Sequence, residues 1–383
     1  MKKTAIILSA LFAGLSSWAQ NTSVRPGQVW LDTAGEPISC HGHAVIYNPD
    51  DSTYYWYGEN KERTFKGSNV WSYGFRCYSS KDFYNWKDEG LFIFPETTDT
   101  KHPLHYSQYL DRPHILYNKA TKRYVCWIKN MGDNDGNFVI LQSKKFLGPY
   151  EIVNPGYRPN GFTVGDFEFW VDDETGKGYV WFEYGHWEMI CAELSDDYLS
   201  VTEKYSEHFE GLRPPLTRES PAHFIKDGVH YLLTSGTTHY YPNESNVVRF
   251  TDPHEKYEDL GNPHPTDTSF TSFHSQICDV IKIPGKKNLY VAVADRWVPQ
   301  AVGTDAAQKF RRTLEKAFAN HNAPWPRNYE PVEIVDRSKA RRTSLKTPPL
   351  QRMSGFLSYG KKTMSHGFTG WTNGALKILI NFY

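Results

Sequence analysis

Residues 111–129 read DRPHILYNKATKRYVCWIK. An acid opens the stretch and a short apolar strand follows. Asn118 and its polar neighbours make a turn, and residues 124–128 return as a second strand. Aromatic and β-branched side chains suit a pleated, half-buried surface. Asn offers the local side-chain bonds that a tight turn needs. The stretch therefore predicts a β-hairpin, and the pattern recurs. HGHAVIYNPDDSTYYWYGE (41–59), DFEFWVDDETGKGYVWFEY (166–184), ESPAHFIKDGVHYLLTSG (219–236) and QICDVIKIPGKKNLYVAVADRW (276–297) share the plan.

Four of these hairpins are followed by a second strand–turn–strand unit: GFRCYSSKDFYNWKDEG (74–90), FVILQSKKFLGPYEIV (138–153), MICAELSDDYLSVTEKY (189–205) and NVVRFTDPHEKYEDLG (246–261). Four strands per unit, recurring about every 50 residues, is the content of a propeller blade. An isolated four-stranded sheet leaves two apolar faces and two open edges in water. Radial packing buries the faces and protects the edges. The expectation is an all-β, five-bladed β-propeller with four-stranded antiparallel blades, spanning 20–351. The alternative, an open β-sandwich, has no such period. One helix is expected, at 306–320, inside an insertion in the last repeat.

Composition narrows the function. Lys plus Arg and Asp plus Glu both number 43, and the basic residues are not clustered, which argues against a nucleic-acid partner. The 25 Tyr, 22 Phe and 12 Trp can pack strands or stack on sugar rings. Residues 1–19 look like a cleaved leader: Lys2 and Lys3, an apolar run, then Ser17-Trp18-Ala19. The run is short for a membrane span. The expectation is a periplasmic or secreted monomer after cleavage near Ala19. Cys40, Cys77, Cys126, Cys191 and Cys278 show no metal or redox spacing. They are expected as free buried thiols.

The chemistry-bearing residues follow from the repeat. The first strand of every propeller blade lines the axis, so the polar residues opening those strands converge on one mouth. Here they are His41, Asp111, Asp166, Glu219 and Gln276. Acids are rarely buried without a partner or a task. Glycoside cleavage needs one group to protonate the departing oxygen and one to activate water. Crowded carboxylates provide the raised pKa the acid needs. No zinc pattern, nucleophile elbow or phosphate loop competes.

The motifs LDTAGEPISCHGHAVIY, YYWYGE, DRPHILYN, RESPAHF, LLTSGTT, GNPHP, FHSQ and ADRW, between Trp30 and Trp297, resemble glycoside hydrolase family 43, in the branch containing exo-β-1,3-galactanases. The resemblance implies inverting, metal-independent chemistry on a five-bladed propeller. It implies Glu219 as general acid and Asp166 as the carboxylate that orients it and raises its pKa. The base position of most of the family reads CHGHAV here, without a carboxylate. Gln276 is implied to handle the water, with Asp111 standing where the branch has Glu. Glu59 and Thr237 are implied to hold the first sugar, and His41, Tyr57 and Trp297 to adjoin it. No cofactor is required by the resemblance; a structural calcium on the axis is left open.

The expected substrate is a plant cell-wall polysaccharide or oligosaccharide, most specifically β-1,3-galactan. The alternatives are an α-L-arabinofuranosidase, a β-galactofuranosidase, or a weakly catalytic glycan-binding propeller. SSKDFYNW only partly resembles a sialidase Asp-box and does not recur. Residues 352–383 contain no Asp or Glu, against 43 in the preceding 351 residues. Reading the codons of this tail one base earlier permits YVWLPI and WMDEWRIEDF, which resemble the family's closing strands. A frame slip near Gln351 is therefore expected.

Overall fold

The computed structural model describes residues 21–24, 26, 29–64, 68–132, 136–238 and 242–296, with the backbone of 332–333, 341–342 and 375–382. Four sheets follow one another, each four-stranded, antiparallel and in sequence order. The first holds β1 (His41–Asn48), β2 (Thr53–Glu59), β3 (Phe75–Ser80) and β4 (Lys87–Ile93). The second holds β5 (Leu110–Asn118), β6 (Arg123–Asn130), β7 (Asn137–Ser143) and β8 (Glu151–Tyr157). The third holds β9 (Phe167–Val171), β10 (Gly178–Tyr184), β11 (Glu188–Leu194) and β12 (Val201–His208). The fourth holds β13 (Arg218–Lys226), β14 (Val229–Gly236), β15 (Asn246–Phe250) and β16 (Glu258–Gly261). These are propeller blades, and their boundaries fall on the repeats read from the sequence.

The last repeat departs from the plan. β17 (Ser275–Lys282) and β18 (Leu289–Arg296) form an antiparallel hairpin. Its third strand is β21 (Ala375–Phe382), paired parallel to β18 from Leu289↔Ala375 to Arg296↔Phe382. Every other third strand runs antiparallel. Among the described residues the last repeat therefore shows a three-stranded mixed sheet rather than the expected four-stranded antiparallel one. A tight turn can deliver only an antiparallel neighbour, whereas β21 arrives from a distant segment. Two short strands, β19 (Val332–Glu333) and β20 (Arg341–Arg342), pair separately. The expected helix at 306–320 lies outside the described residues, as does Trp297.

Five apolar clusters lie between neighbouring sheets. Tyr57, Phe75 and Phe92 of the first meet Ile128, Val139 and Leu141 of the second. Trp127 and Phe138 meet Phe167 and Phe182, and Trp181 and Met189 meet Leu232 and Val248. Ala222 and Leu233 meet Ile277 and Ala292. Val45 and Trp56 meet Ile281, Val291 and Val293, so the last hairpin packs on the first sheet as well as on the fourth. All five cysteines are free and buried, as expected. Each fully buried large aliphatic or aromatic side chain in these seams contributes about 1.5–3 kcal/mol.

Register carries this architecture to the site. Counted outward from the inner turns, His41 pairs with Glu59, Asp111 with Lys129, Glu219 with Ser235 and Gln276 with Asp295. The carbonyl of Asp166 likewise accepts from Glu183 N at 2.9 Å. Each opening residue on an inner strand thus faces a second polar residue at the end of the next strand. In blades 1, 2 and 4 a bulge follows the opening residue, with Gly42, Arg112 and Ser220 at φ of 52°, 48° and 50°. A bulge re-aims the strand's side chains and ends regular pairing, a device common beside active sites.

Candidate active site

The opening residues meet at one end of the axis. Glu219, Asp166 and Gln276 are buried there, and Asp111 is nearly so. Arg112 ties three blades together: Nε lies 2.9 Å from Asp166 Oδ1, Nη2 donates to Gln276 Oε1 at 3.0 Å, and its backbone N–H donates to Glu59 Oε1 at 3.0 Å. Lys129 Nζ is 2.7 Å from Asp166 Oδ1 and 3.3 Å from Asp111 Oδ2. Gln276 Nε2 donates to Glu219 Oε1 at 3.0 Å and to Ser235 Oγ at 2.8 Å. Trp71 Nε1 donates to Asp111 Oδ1 at 2.5 Å.

The charges are not shared evenly. Among the described residues Glu59, Asp111, Asp166, Glu183 and Asp295 each have a basic group within 4.0 Å, and Glu219 has none. Burial, then the neighbouring charges of Asp166 and Glu183, push Glu219 up to about 8, against the weaker pull of His186 and Arg112. Asp166 goes the other way. Burial works to raise it, but Arg112 and Lys129 outweigh burial and hold it well below the usual carboxylate range. Asp111 is raised by burial and by Glu59, against the pull of Lys129, Lys61 and the Trp71 donor. His41 sits between Glu59 and Asp295, at 3.4 and 3.3 Å. Burial disfavours its proton, yet Asp295 and Glu59 outweigh burial and raise its pKa.

The family model for glycosyl hydrolases family 43 matches residues 38–298. The chain belongs to that family. Among solved structures, a family 43 β-1,3-galactosidase is 31% identical, with a TM-score of 0.65, over 74% of this chain and 58% of its own. A second β-1,3-galactosidase of the family, solved with galactodeoxynojirimycin, is 26% identical with a TM-score of 0.64, over 73% of this chain and 92% of its own. An exo-β-1,3-galactanase from Clostridium thermocellum is 27% identical with a TM-score of 0.57, over 69% and 56%. This chain thus spans little more than half the length of the first and third. Among curated proteins no significant match is found.

Other family 43 positions distribute unevenly. Glu59 joins the ring, with Lys61 Nζ at 2.6 Å; burial opposes its ionisation, but Lys61 and His41 hold it well below the usual range. Thr237 is buried beside the ring end of β14, its hydroxyl 2.6 Å from that of Thr217. Tyr57 is a correction. It is 1% exposed inside the seam between blades 1 and 2, and its hydroxyl accepts Ile115 N at 3.0 Å, so its ring faces protein and cannot stack on a sugar. Arg112, Lys129, Glu183, Ser235, Asp295 and Trp71 were not singled out in the sequence. Counting register outward from each hairpin turn would have found all but Arg112 and Trp71.

Two further features bear on cofactors. His43, Cys278 and Asp295 form one buried donor cluster, and Glu183, His186 and Glu219 form another. Calcium takes six to eight oxygen ligands. Clusters of three donors, each including imidazole and one a thiol, do not suit it. A cavity of 340 Å³ occupies the opposite end of the axis, lined by His114, Glu168, Trp170, Asp279 and Tyr290 and by none of the five opening residues. Glu168 is pushed well up by burial and by Asp279, and His114 is pushed down to about 3 by burial and by Arg112. His114 Nδ1 lies 3.5 Å from Glu168 Oε1.

Proposed function

We propose that this chain is an inverting, exo-acting hydrolase of β-1,3-linked galactan, with Glu219 as general acid. The observation carrying this reading is the split between two buried carboxyl groups on adjacent blades: Asp166 clamped as an anion by Arg112 and Lys129, and Glu219 with no ion-pair partner within 4.0 Å among the described residues. A carboxyl protonated at neutral pH can donate to a departing glycosidic oxygen. Gln276 already spends its amide N–H groups on Glu219 and Ser235 and its oxygen on Arg112, which suits it to hold the acid and the water in place. Asp111, fixed by Trp71 and Lys129, is the carboxylate left to take the water's proton. The galactose preference rests on the similarity to the two galactosidases and the clostridial galactanase.

Three further points complete the proposal. The β17–β18 hairpin, wedged between blades 4 and 1, is the inner half of a fifth blade. Residues 352–383 replace that blade's own outer strands through a frame slip. The protein works as a monomer outside the cytoplasm, since residues 1–19 read as a leader. Among the described residues no helix is long and apolar enough to cross a membrane.

Proton NMR of the first product from β-1,3-galactan tests the mechanism. Inversion releases α-galactose before mutarotation. Release of β-galactose, or of oligosaccharides alone, overturns the reading. Asp111→Asn should lower kcat by 10²–10⁴-fold, the usual range for losing a general acid or base. Gln276→Ala should lower it less. The reverse order would make the amide, not the carboxylate, the group that handles water.

A further inference from the structure

The two rims of the mouth differ. On the blade 1–2 side, Trp71 is committed to the site: its indole N–H holds Asp111, and Lys61 lies 4.4 Å over its ring. On the blade 3–4 side, Trp187 makes no such contact. It follows Gly185 and His186, at φ of 56° and 59°, in the turn between β10 and β11. Trp187 N donates back to Tyr184 O at 3.0 Å, and Tyr184 pairs with Glu188 across the turn. Successive left-handed residues fit a tight hairpin turn, so the direction of Trp187 is fixed by backbone rather than by packing. Its side chain is left 40% exposed.

The turn lies beside the general acid. His186 Nδ1 contacts the buried Glu183 carboxylate, and donor atoms of Glu183, His186 and Glu219 lie within 4.8 Å of one another. The group that protonates the departing oxygen must face the leaving-group sugar. Trp187 follows His186 in the turn that adjoins that group.

Arg213, in the loop between β12 and β13, places its guanidinium over one face of the Trp187 ring, 4.8 Å from its centre, so a sugar would stack on the other face. Its Nη1 donates to Leu212 O at 2.7 Å. Among the described residues no carboxylate lies within 4.0 Å of it, although Glu210 is three residues away in sequence. The same loop docks on the site, since Pro215 O accepts Thr237 N at 3.1 Å. His186, the residue before Trp187, is raised to about 9, chiefly by Glu183. This rim therefore presents an aromatic ring and one cation, Arg213, without a carboxylate partner within 4.0 Å among the described residues.

We infer that Trp187 and Arg213 form the leaving-group subsite and that it takes a sugar bearing an anionic substituent, a carboxylate or a sulfate ester. The aromatic face stacks on the apolar face of the sugar, and the guanidinium pairs with the anion. The inference rests on the proposed hydrolysis for its orientation, with Glu219 on the leaving-group side.

The test compares three substrates on the full chain: a neutral β-1,3-galactobioside, the same disaccharide carrying a uronic acid on the leaving-group galactose, and its sulfated counterpart. The expected kcat/KM favours an anionic substrate about tenfold at low salt, as a charge-assisted hydrogen bond allows. The preference shrinks with added NaCl. Arg213→Gln brings the anionic-to-neutral ratio close to one. Trp187→Ala raises KM for the disaccharides relative to an aryl galactoside, whose leaving group is no sugar. Equal kcat/KM on charged and neutral disaccharides, or a ratio untouched by Arg213→Gln, overturns the inference. A preference for the uronic acid alone, or the sulfate alone, identifies the anion. Binding of the same three compounds to Glu219→Gln, read by tryptophan fluorescence, separates the two ideas. Anion-selective binding without any turnover by the unsubstituted chain sinks the hydrolase reading and leaves this one standing; unselective binding sinks this one.

Discussion

At the scale of single residues, burial alone would treat Glu219 and Asp166 alike, since it disfavours both charges. What separates them is the company each keeps. Asp166 has two cations within 3 Å, whereas Glu219 has an amide at 3.0 Å, two acids that raise it, and only the more distant His186 and Arg112 to lower it. The alkaline limb of kcat/KM should therefore fall near pH 8, as Glu219 loses its proton. Asp166→Asn removes the negative charge that helps to raise Glu219, so the limb should move to lower pH as well as lower in height. A pH–rate profile of both proteins checks this; an unmoved limb would dissociate Asp166 from the acid's pKa. Stability follows the same logic. The raised Glu219 contributes stability that is full below 4.5 and is lost as pH rises through about 8. Glu219→Gln abolishes that loss, so the variant should gain roughly 2–4 kcal/mol relative to the parent between pH 5 and pH 9. Urea unfolding at the two pH values measures it.

At the scale of elements, the bulges decide which atoms face the axis. Gly42 has φ of 52°, and a Cβ there would lie 2.9 Å from Arg112 Cγ and closer still to the Glu59 carboxylate. Gly42→Ala should cost about 2–3 kcal/mol, from the left-handed backbone and from displacing those groups. It should also raise KM, since Glu59 is the displaced carboxylate. Thermal unfolding and steady-state kinetics read both effects. Retained stability with normal KM would mean that the bulge is permissive rather than required. The element scale also marks the limit of reading by pattern. Alternation foretold each hairpin, and the opening polar residues were legible as a set because they recur. Lys129, Glu183 and Asp295 were hidden in strand ends that read as aromatic and apolar. Arg112 was masked because its aim depends on a bulge, and a bulge leaves no trace in alternation.

At the scale of the molecule, the ring is held by five seams, and the β17–β18 hairpin contributes to two of them. Its outer edge is covered by a parallel strand drawn from the tail. If residues 352–383 replace native closing strands, a chain carrying the alternative frame should be more stable. The expected rise in Tm is about 2–4 °C, the scale of a kcal/mol or two in a domain of this size. Light scattering should also show less association, because an imperfectly covered strand edge invites pairing with another chain. A lower Tm in the repaired chain would show the present tail to be the fold's own closure.

The sequence alone determined the blade: strand, turn and strand, repeated, with a polar residue at the start of each inner strand. Those features are local, set by alternation and by turn residues, so each is written within about twenty positions. The membership of Glu219, Asp166, Asp111 and Gln276 in one circle followed from the repeat. Only the tertiary structure decided their chemical states. Whether a carboxyl keeps its proton depends on charges that arrive from other blades, such as Arg112 on Asp166 and Glu183 on Glu219, and these interactions act through space at separations that chain order does not record. The same reason moved Tyr57 from the mouth to the core: its neighbours across the seam, not its place in YYWYGE, decide what its ring touches.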